Sequence, residues 1–121
     1  MRSDDPDPQI VEIYRSPTGY CPYEVWFDGL KDRTTRYQIE ARFARLRAGN
    51  RGRWKSVGGG VFEMALDFGP GFRFYAADLD AKFLLLCAGY KKTQGKDIAN
   101  AKEYLAEYLE SSAQIRKGKG N

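Results

Sequence analysis

The sequence has no histidine. That absence removes the imidazole on which Ser-His and Cys-His nucleophilic mechanisms depend, and it leaves no ordinary zinc site. Cysteine is almost as scarce, with Cys21 and Cys87 alone. One precedes the first helical pattern and the other lies inside an apolar run, so a buried reduced thiol is expected at Cys87 rather than a disulfide. No apolar run approaches the ~20 residues that a membrane-spanning helix needs. Residues 1–8 are acidic and contain proline, the reverse of the basic-then-apolar layout of a secretory leader. A cytoplasmic protein without membrane contact is the expectation. Any enzyme built on this chain works with Lys, Arg, Glu, Asp or Tyr.

What is present fits one domain: 121 residues, 42% of them hydrophobic and 14% aromatic, are enough for a single packed core and too few for two. The net charge of +4 is unevenly spread. Lys31, Arg33, Arg36, Arg42, Arg45, Arg47, Arg51, Arg53 and Lys55 stand against only Asp32 and Glu40 in the same stretch. Such a segment suits a polyanion or an acidic protein partner, and a solvated helix face gives the same pattern.

Along the chain, residues 1–8 read as a disordered lead, residues 9–112 as the domain, and residues 113–121 as a frayed basic tail. Residues 9–14 alternate as a short strand does. After Pro22, the residues Tyr23, Trp26, Phe27 and Leu30 fall at helical spacing. Asp32 can cap a second helix whose apolar stripe is Ile39, Phe43 and Leu46, ended by Gly49 and Asn50. The two helices read as a hairpin. From Arg53 the period changes to alternation, with Trp54 and Val57 apolar before the break at Gly58, Gly59 and Gly60.

Residues 61–68 place Phe62, Met64, Leu66 and Phe68 on one face and Val61, Glu63, Ala65 and Asp67 on the other. Gly69, Pro70 and Gly71 then reverse the chain. With Phe68 opposite Phe72, Asp67 faces Arg73 and Ala65 faces Tyr75, so Glu63, Arg73 and Tyr75 project from the side away from the core. That side is the candidate active surface. A further reversal over residues 78–81 leads to residues 83–88, apolar on both faces as the middle strand of a sheet is. Lys91 and Lys92 stand at its exit, Thr93 can cap a last helix, and Ile98, Ala101, Leu105 and Tyr108 give that helix its stripe. The order is one strand, two helices, four meandering strands and a helix. It describes an α+β domain in which an antiparallel or mixed sheet carries an N-terminal helical hairpin and a C-terminal helix.

Three segments carry a resemblance: Gly60-Val61-Phe62-Glu63, then Gly69-Pro70-Gly71-Phe72-Arg73-Phe74-Tyr75, then the run Leu84-Leu85-Leu86-Cys87-Ala88-Gly89-Tyr90-Lys91-Lys92-Thr93-Gln94-Gly95-Lys96-Asp97-Ile98. Together they resemble the HigB-type killer proteins of addiction modules, within the RelE/ParE toxin superfamily. Residues 26–32, 46–50 and 55–61 follow the same pattern in the same order, so the resemblance covers about residues 22–105. It implies a small RNase-like sheet that enters the ribosomal A site, cuts messenger RNA and inhibits translation. It also implies a HigA-type helix-turn-helix antitoxin, with operator DNA bound only through that antitoxin. No cofactor or metal is implied.

Metal-free RNA cleavage needs removal of the 2′-hydroxyl proton, neutralisation of a crowded phosphorane and protonation of the departing 5′-oxygen. Arg73 is the candidate phosphate clamp, since guanidinium binds two phosphate oxygens at once. A structural arginine paired with Asp67 is the alternative. Glu63 is a candidate base, with a cross-strand ion pair as the alternative. Lys55, Lys91 and Lys92 are candidates for binding the RNA backbone or supplying the acid, and Arg53 for binding RNA. Tyr75 or Tyr90 would stack on a base, or else complete the core. Two departures from the family pattern stand out. Ala65 occupies a position where relatives usually carry a basic residue, most often Arg, so lost activity or a shifted active site follows if that residue is essential, and a weakened toxin that serves mainly in promoter regulation would show the same change. Tyr90 stands where relatives commonly have Asp. A ParE-like inhibitor of a protein target such as DNA gyrase is the non-catalytic alternative.

Overall fold

The computed structural model describes residues 10–79 and 82–119, with side chains described up to residue 113. The lead expected over residues 1–8 and the tip of the reversal at residues 80–81 lie outside the described residues. In chain order the elements are β1 (Val11–Ile13), α1 (Pro22–Asp28), α2 (Arg33–Arg47), β2 (Lys55–Gly58), β3 (Val61–Ala65), β4 (Phe72–Leu79), β5 (Lys82–Tyr90) and α3 (Gln94–Lys119), with a 3-10 turn at Lys91–Thr93 before α3. The fold is α+β, with the strand and helix order expected from the periodicities. None of the helices among the described residues is long and apolar enough to cross a membrane.

One five-stranded sheet runs in the order β1-β5-β4-β3-β2. β1 pairs with β5 in parallel, and the other neighbours are antiparallel. The apolar strand β5 is interior, as its composition demands, but the middle strand is β4. Each face carries its own core. Beneath α1 and α2 lie Met64, Leu66, Phe72, Phe74, Ala76, Phe83, Leu85 and Ala88, packed with Tyr23, Ile39 and Leu46. Beneath α3 lie Val61, Tyr75, Ala77, Leu84, Leu86 and Cys87, packed with Tyr14, Ala101 and Leu105. A bulge on β5 opposite Tyr75 and Ala76 leaves Leu86 as the extra residue, so Leu86 and Cys87 both serve the second core.

The helices start and stop as their ends dictate. Asp32 caps α2 by accepting a 2.8 Å hydrogen bond from the Thr35 backbone N–H, which satisfies one of the free donors of the first turn. Gly49 adopts φ +96° just past the α2 C-terminus. At α3 the stripe Ile98, Ala101, Leu105 and Tyr108 is the buried face, and the glycines 58–60 let that helix come close. A Cβ at Gly60 would lie 3.2 Å from Leu105. The backbone of α3 continues to Lys119, past the Ala113 start expected for a frayed tail.

The β3-β4 hairpin differs from the expected register by two residues. Ala65 faces Arg73 and Glu63 faces Tyr75. The physical reason is the turn: β3 ends at Ala65, and the Leu66 N–H bonds to the Phe72 carbonyl at 2.8 Å. Gly69 (φ +68°) and Gly71 (φ +76°) then form a wide connection in place of a tight Gly-Pro-Gly reversal. A two-residue slip keeps every side chain on its face. The larger correction concerns that face, which was expected to look away from the core and instead is covered by α3 along most of its length.

Candidate functional site

Glu63 is the one charged side chain among the described residues that is buried, at 2% exposure. β3 sets it on the α3 side, flanked by Lys55 of β2 and Tyr75 of β4 in the strand register. Its Oε2 accepts a 2.7 Å hydrogen bond from Gln94 Nε2 and lies 3.6 Å from Arg73 Nε, while its Oε1 lies 3.6 Å from Lys55 Nζ. A buried carboxylate is tolerated only with such partners, since its desolvation costs several kcal/mol.

The Arg73 side chain is 14% exposed. Its Nη1 donates to the Gly71 carbonyl at 2.7 Å, and the same carbonyl accepts the Lys91 backbone N–H at 2.8 Å. The β3-β4 turn therefore ties Arg73 to the exit of β5. Gly71 is required there twice over. Its φ of +76° favours glycine, and a Cβ would come within 3.0 Å of the Lys91 Cβ and 3.1 Å of Arg73 Nη1.

Opposite Arg73 on β5 lies Gly89. The Asp97 carboxylate of α3 takes the room a side chain would need: a Cβ at Gly89 would stand 2.8 Å from Asp97 Cγ. The Thr93 hydroxyl donates to that carboxylate at 2.5 Å. Burial, then the charge of Glu63, pushes the Tyr75 hydroxyl well above the usual tyrosine range, with Asp97 adding to the shift and Arg73 opposing it. Burial, then the charge of Asp97, pushes the Cys87 thiol up to about 12. Both cysteines are buried and free, as expected for Cys87.

Of the residues singled out in the sequence, the fold brings Glu63, Arg73 and Lys55 together, with Lys91 joined through Gly71. Lys92 is exposed beside Lys91. Tyr75 is fully buried and belongs to the α3 core, so it is not free to stack on a base. Tyr90 is on the opposite face, its ring 5.5 Å from Phe72 and 6.3 Å from Trp26, because its strand position pairs with Phe72 and not with the Glu63 row. The alternative pairing of Arg73 with Asp67 is replaced by Glu63. Ala65 is exposed and lines a cleft of about 400 Å³ that Arg53 also lines.

Gln94 and Asp97 were not singled out from the sequence. Both lie in the run from Leu84 to Ile98 that carries the family resemblance. The signal that marks them is position: two polar side chains in the first turn of a helix that follows directly on a central strand must lie near the end of that strand. Chemically, the arrangement presents Lys55 to solvent and keeps Glu63 and most of Arg73 behind it. Lys55 is 72% exposed, whereas Glu63 is out of reach of a substrate hydroxyl. Glu63 thus orients Arg73 and Lys55 and is not positioned as a base in contact with substrate.

Over 81 residues the chain is 42% identical to a protein of Haemophilus influenzae described as uncharacterized, a match spanning 66% of this chain and 82% of that relative. No family profile matches the chain, and no solved structure matches it.

Proposed function

The chain belongs to one family with that Haemophilus influenzae protein, and we propose that it is the toxin of a type II toxin-antitoxin pair, with a RelE/HigB-like fold. In this reading it is a cytoplasmic, metal-independent endoribonuclease that cuts messenger RNA on the ribosome and is neutralised by a helix-turn-helix antitoxin. The observation that carries the reading is the cation group around Glu63. Arg73 is held 3.6 Å from one oxygen of a buried carboxylate and Lys55 3.6 Å from the other, with Lys91 and Lys92 at the adjoining strand exit. Cations held in fixed positions by a buried carboxylate, one of them 72% exposed, suit a phosphate whose charge grows in the transition state. The order of motifs along residues 22–105 supports the same reading.

In the reaction the 2′-oxygen bonds to phosphorus and the bond from phosphorus to the 5′-oxygen breaks, which leaves a 2′,3′-cyclic phosphate and a 5′-hydroxyl. Arg73 neutralises the phosphorane. Lys55, 72% exposed, protonates the departing 5′-oxygen, and the 2′-hydroxyl proton passes to solvent. Lys91 and Lys92 hold the neighbouring backbone.

Primer extension on cellular mRNA after induction tests this. Discrete cuts within translated regions are expected, and Arg73→Gln at equal protein level should abolish them. Intact messages together with blocked replication would point instead to a gyrase-type protein target. The exposed Ala65 favours a second reading, a toxin of reduced activity that acts mainly through its antitoxin at the promoter. In that case induction leaves both messages and replication intact.

A further inference from the structure

The basic stretch of the sequence resolves into a defined cleft at the end of β3, apart from the Glu63 group. Arg42 and Arg45 enter from α2, Arg53 from the loop before β2, and Ala65, Asp67 and Phe68 from the end of β3 and the turn after it. Arg42 is anchored, its guanidinium donating to the Asn50 carbonyl at 3.2 Å and to the Arg51 carbonyl at 2.6 Å. Those bonds fix the loop that carries Arg53. Among the described residues, none of these three arginines is paired with a carboxylate. Burial, then the charge of Arg45, pulls Arg42 below its ordinary value. Asp67 is the one carboxylate on the cleft wall, so the cleft is net positive.

Ala65, on the cleft wall, is the cross-strand partner of Arg73. Phe68, half-buried and edge-on to Phe72 at 5.8 Å, gives the cleft an aromatic wall. A volume of about 400 Å³ is the size of a small-ligand pocket, not of a protein docking surface. We propose that this cleft is a nucleotide subsite for single-stranded RNA, taking a phosphate between Arg45 and Arg53 and stacking the adjoining base on Phe68. The inference rests on the RNase reading and extends it: a strand with one phosphate at Arg73 runs past Ala65 and places its next nucleotide here. The small side chain at 65 keeps that passage open.

The probe is a fluorescein-labelled, single-stranded 2′-O-methyl RNA decamer, which cannot be cut, followed by fluorescence anisotropy across a salt series. Removing both guanidiniums in Arg45→Gln/Arg53→Gln should weaken binding about tenfold or more. It should also flatten the slope of log affinity against log salt by about 0.7, the contribution of one phosphate contact on a single strand. Arg45→Lys/Arg53→Lys should keep the slope, and Phe68→Leu should weaken binding about threefold without changing it. Thermal melts of each variant establish that it is folded, and the single variants Arg45→Gln and Arg53→Gln stand in if the pair fails to fold. The subsite is overturned if the unaltered protein does not bind the decamer at 50 mM salt, or if the glutamine variants bind it as well as the parent. Glutamine variants that bind RNA normally but lose an acidic protein partner would overturn it in favour of a protein interface. Primer extension judges the RNase reading separately: cuts in cells with unaffected anisotropy would remove the subsite and leave the enzyme.

Discussion

The Glu63 carboxylate and the Arg73 guanidinium meet 3.6 Å apart under α3, with 2% and 14% of their side chains exposed. Lys55 reaches the other carboxylate oxygen at the same distance but is 72% exposed. The two ion pairs therefore differ in what they contribute. Glu63→Gln leaves Arg73 nearly buried without its counter-charge and should cost about 2–4 kcal/mol, somewhat below the cost of breaking a fully buried pair. Lys55→Ala removes a solvent-screened charge and should cost under about 1 kcal/mol. Urea unfolding of both variants checks this, and equal losses would show that Glu63 is not the centre of the group.

Gly89 and Asp97 share one space, and that is a test of how tightly α3 is seated. An alanine at 89 meets the Asp97 carboxyl carbon at 2.8 Å and Thr93 Oγ1 at 3.3 Å, so the first turn of α3 must move or Asp97 must give up its bond to Thr93. Gly89→Ala should destabilise by about 1–3 kcal/mol. In the Asp97→Ala background the same change should cost at least ~0.5 kcal/mol less, the coupling expected of residues in contact. Additive effects in a double-mutant cycle would mean that the two do not compete for the space.

The element order was legible because hydrophobic period changes twice, at Arg53 and after Tyr90, and because Asp32 and Gly49 mark the ends of α2 by their chemistry. Side-chain faces in the hairpin were legible too, since a slip of two residues preserves parity. Which face is covered was not. Glu63, Ala65 and Arg73 read as a solvent face, and only the landing of α3 on Val61, Tyr75 and Leu84 covers Glu63 and Arg73 while Ala65 stays exposed, a tertiary fact that no local pattern contains. For the same reason Tyr75 and Tyr90 are indistinguishable in sequence, while one is enclosed beneath α3 and the other packs against Trp26 across the sheet. The arginine stretch announced a positive surface. It did not announce that Arg42 would be tied to the Asn50 and Arg51 carbonyls, leaving Arg45 and Arg53 facing a cleft.

Alkaline pH should weaken the fold before any tyrosine titrates in the unfolded chain. Burial, then the charge of Asp97, shifts Cys87 from 9.0 to about 12. Between those values the unfolded chain has released a proton that the folded chain still holds. Stability is therefore full below about pH 9 and falls as pH rises, at up to ~1.4 kcal/mol per pH unit from this group. Denaturant midpoints at pH 8, 9 and 10 should decline, and Cys87→Ala should flatten the first part of the decline whatever it does to stability at pH 8. An unchanged slope in that variant would remove the thiol as the cause.

Ala65 offers the sharpest test of the toxin reading. Its Cβ lies on the same face as Arg73, directly across the β3-β4 pairing, yet it is exposed where Arg73 is mostly covered. An arginine there costs no core packing, so Ala65→Arg should fold with its melting temperature essentially unchanged. Its guanidinium would stand within reach of a phosphate held at Arg73, where a second fixed cation strengthens transition-state binding. Growth arrest on induction and the intensity of primer-extension cuts should both rise. The same side chain would narrow the passage into the arginine cleft, so decamer binding should gain less than cleavage does. Stronger RNA binding with no change in cleavage or growth would mean that position 65 serves substrate capture alone, and no change in any of the three would mean that the reaction does not take place on this face.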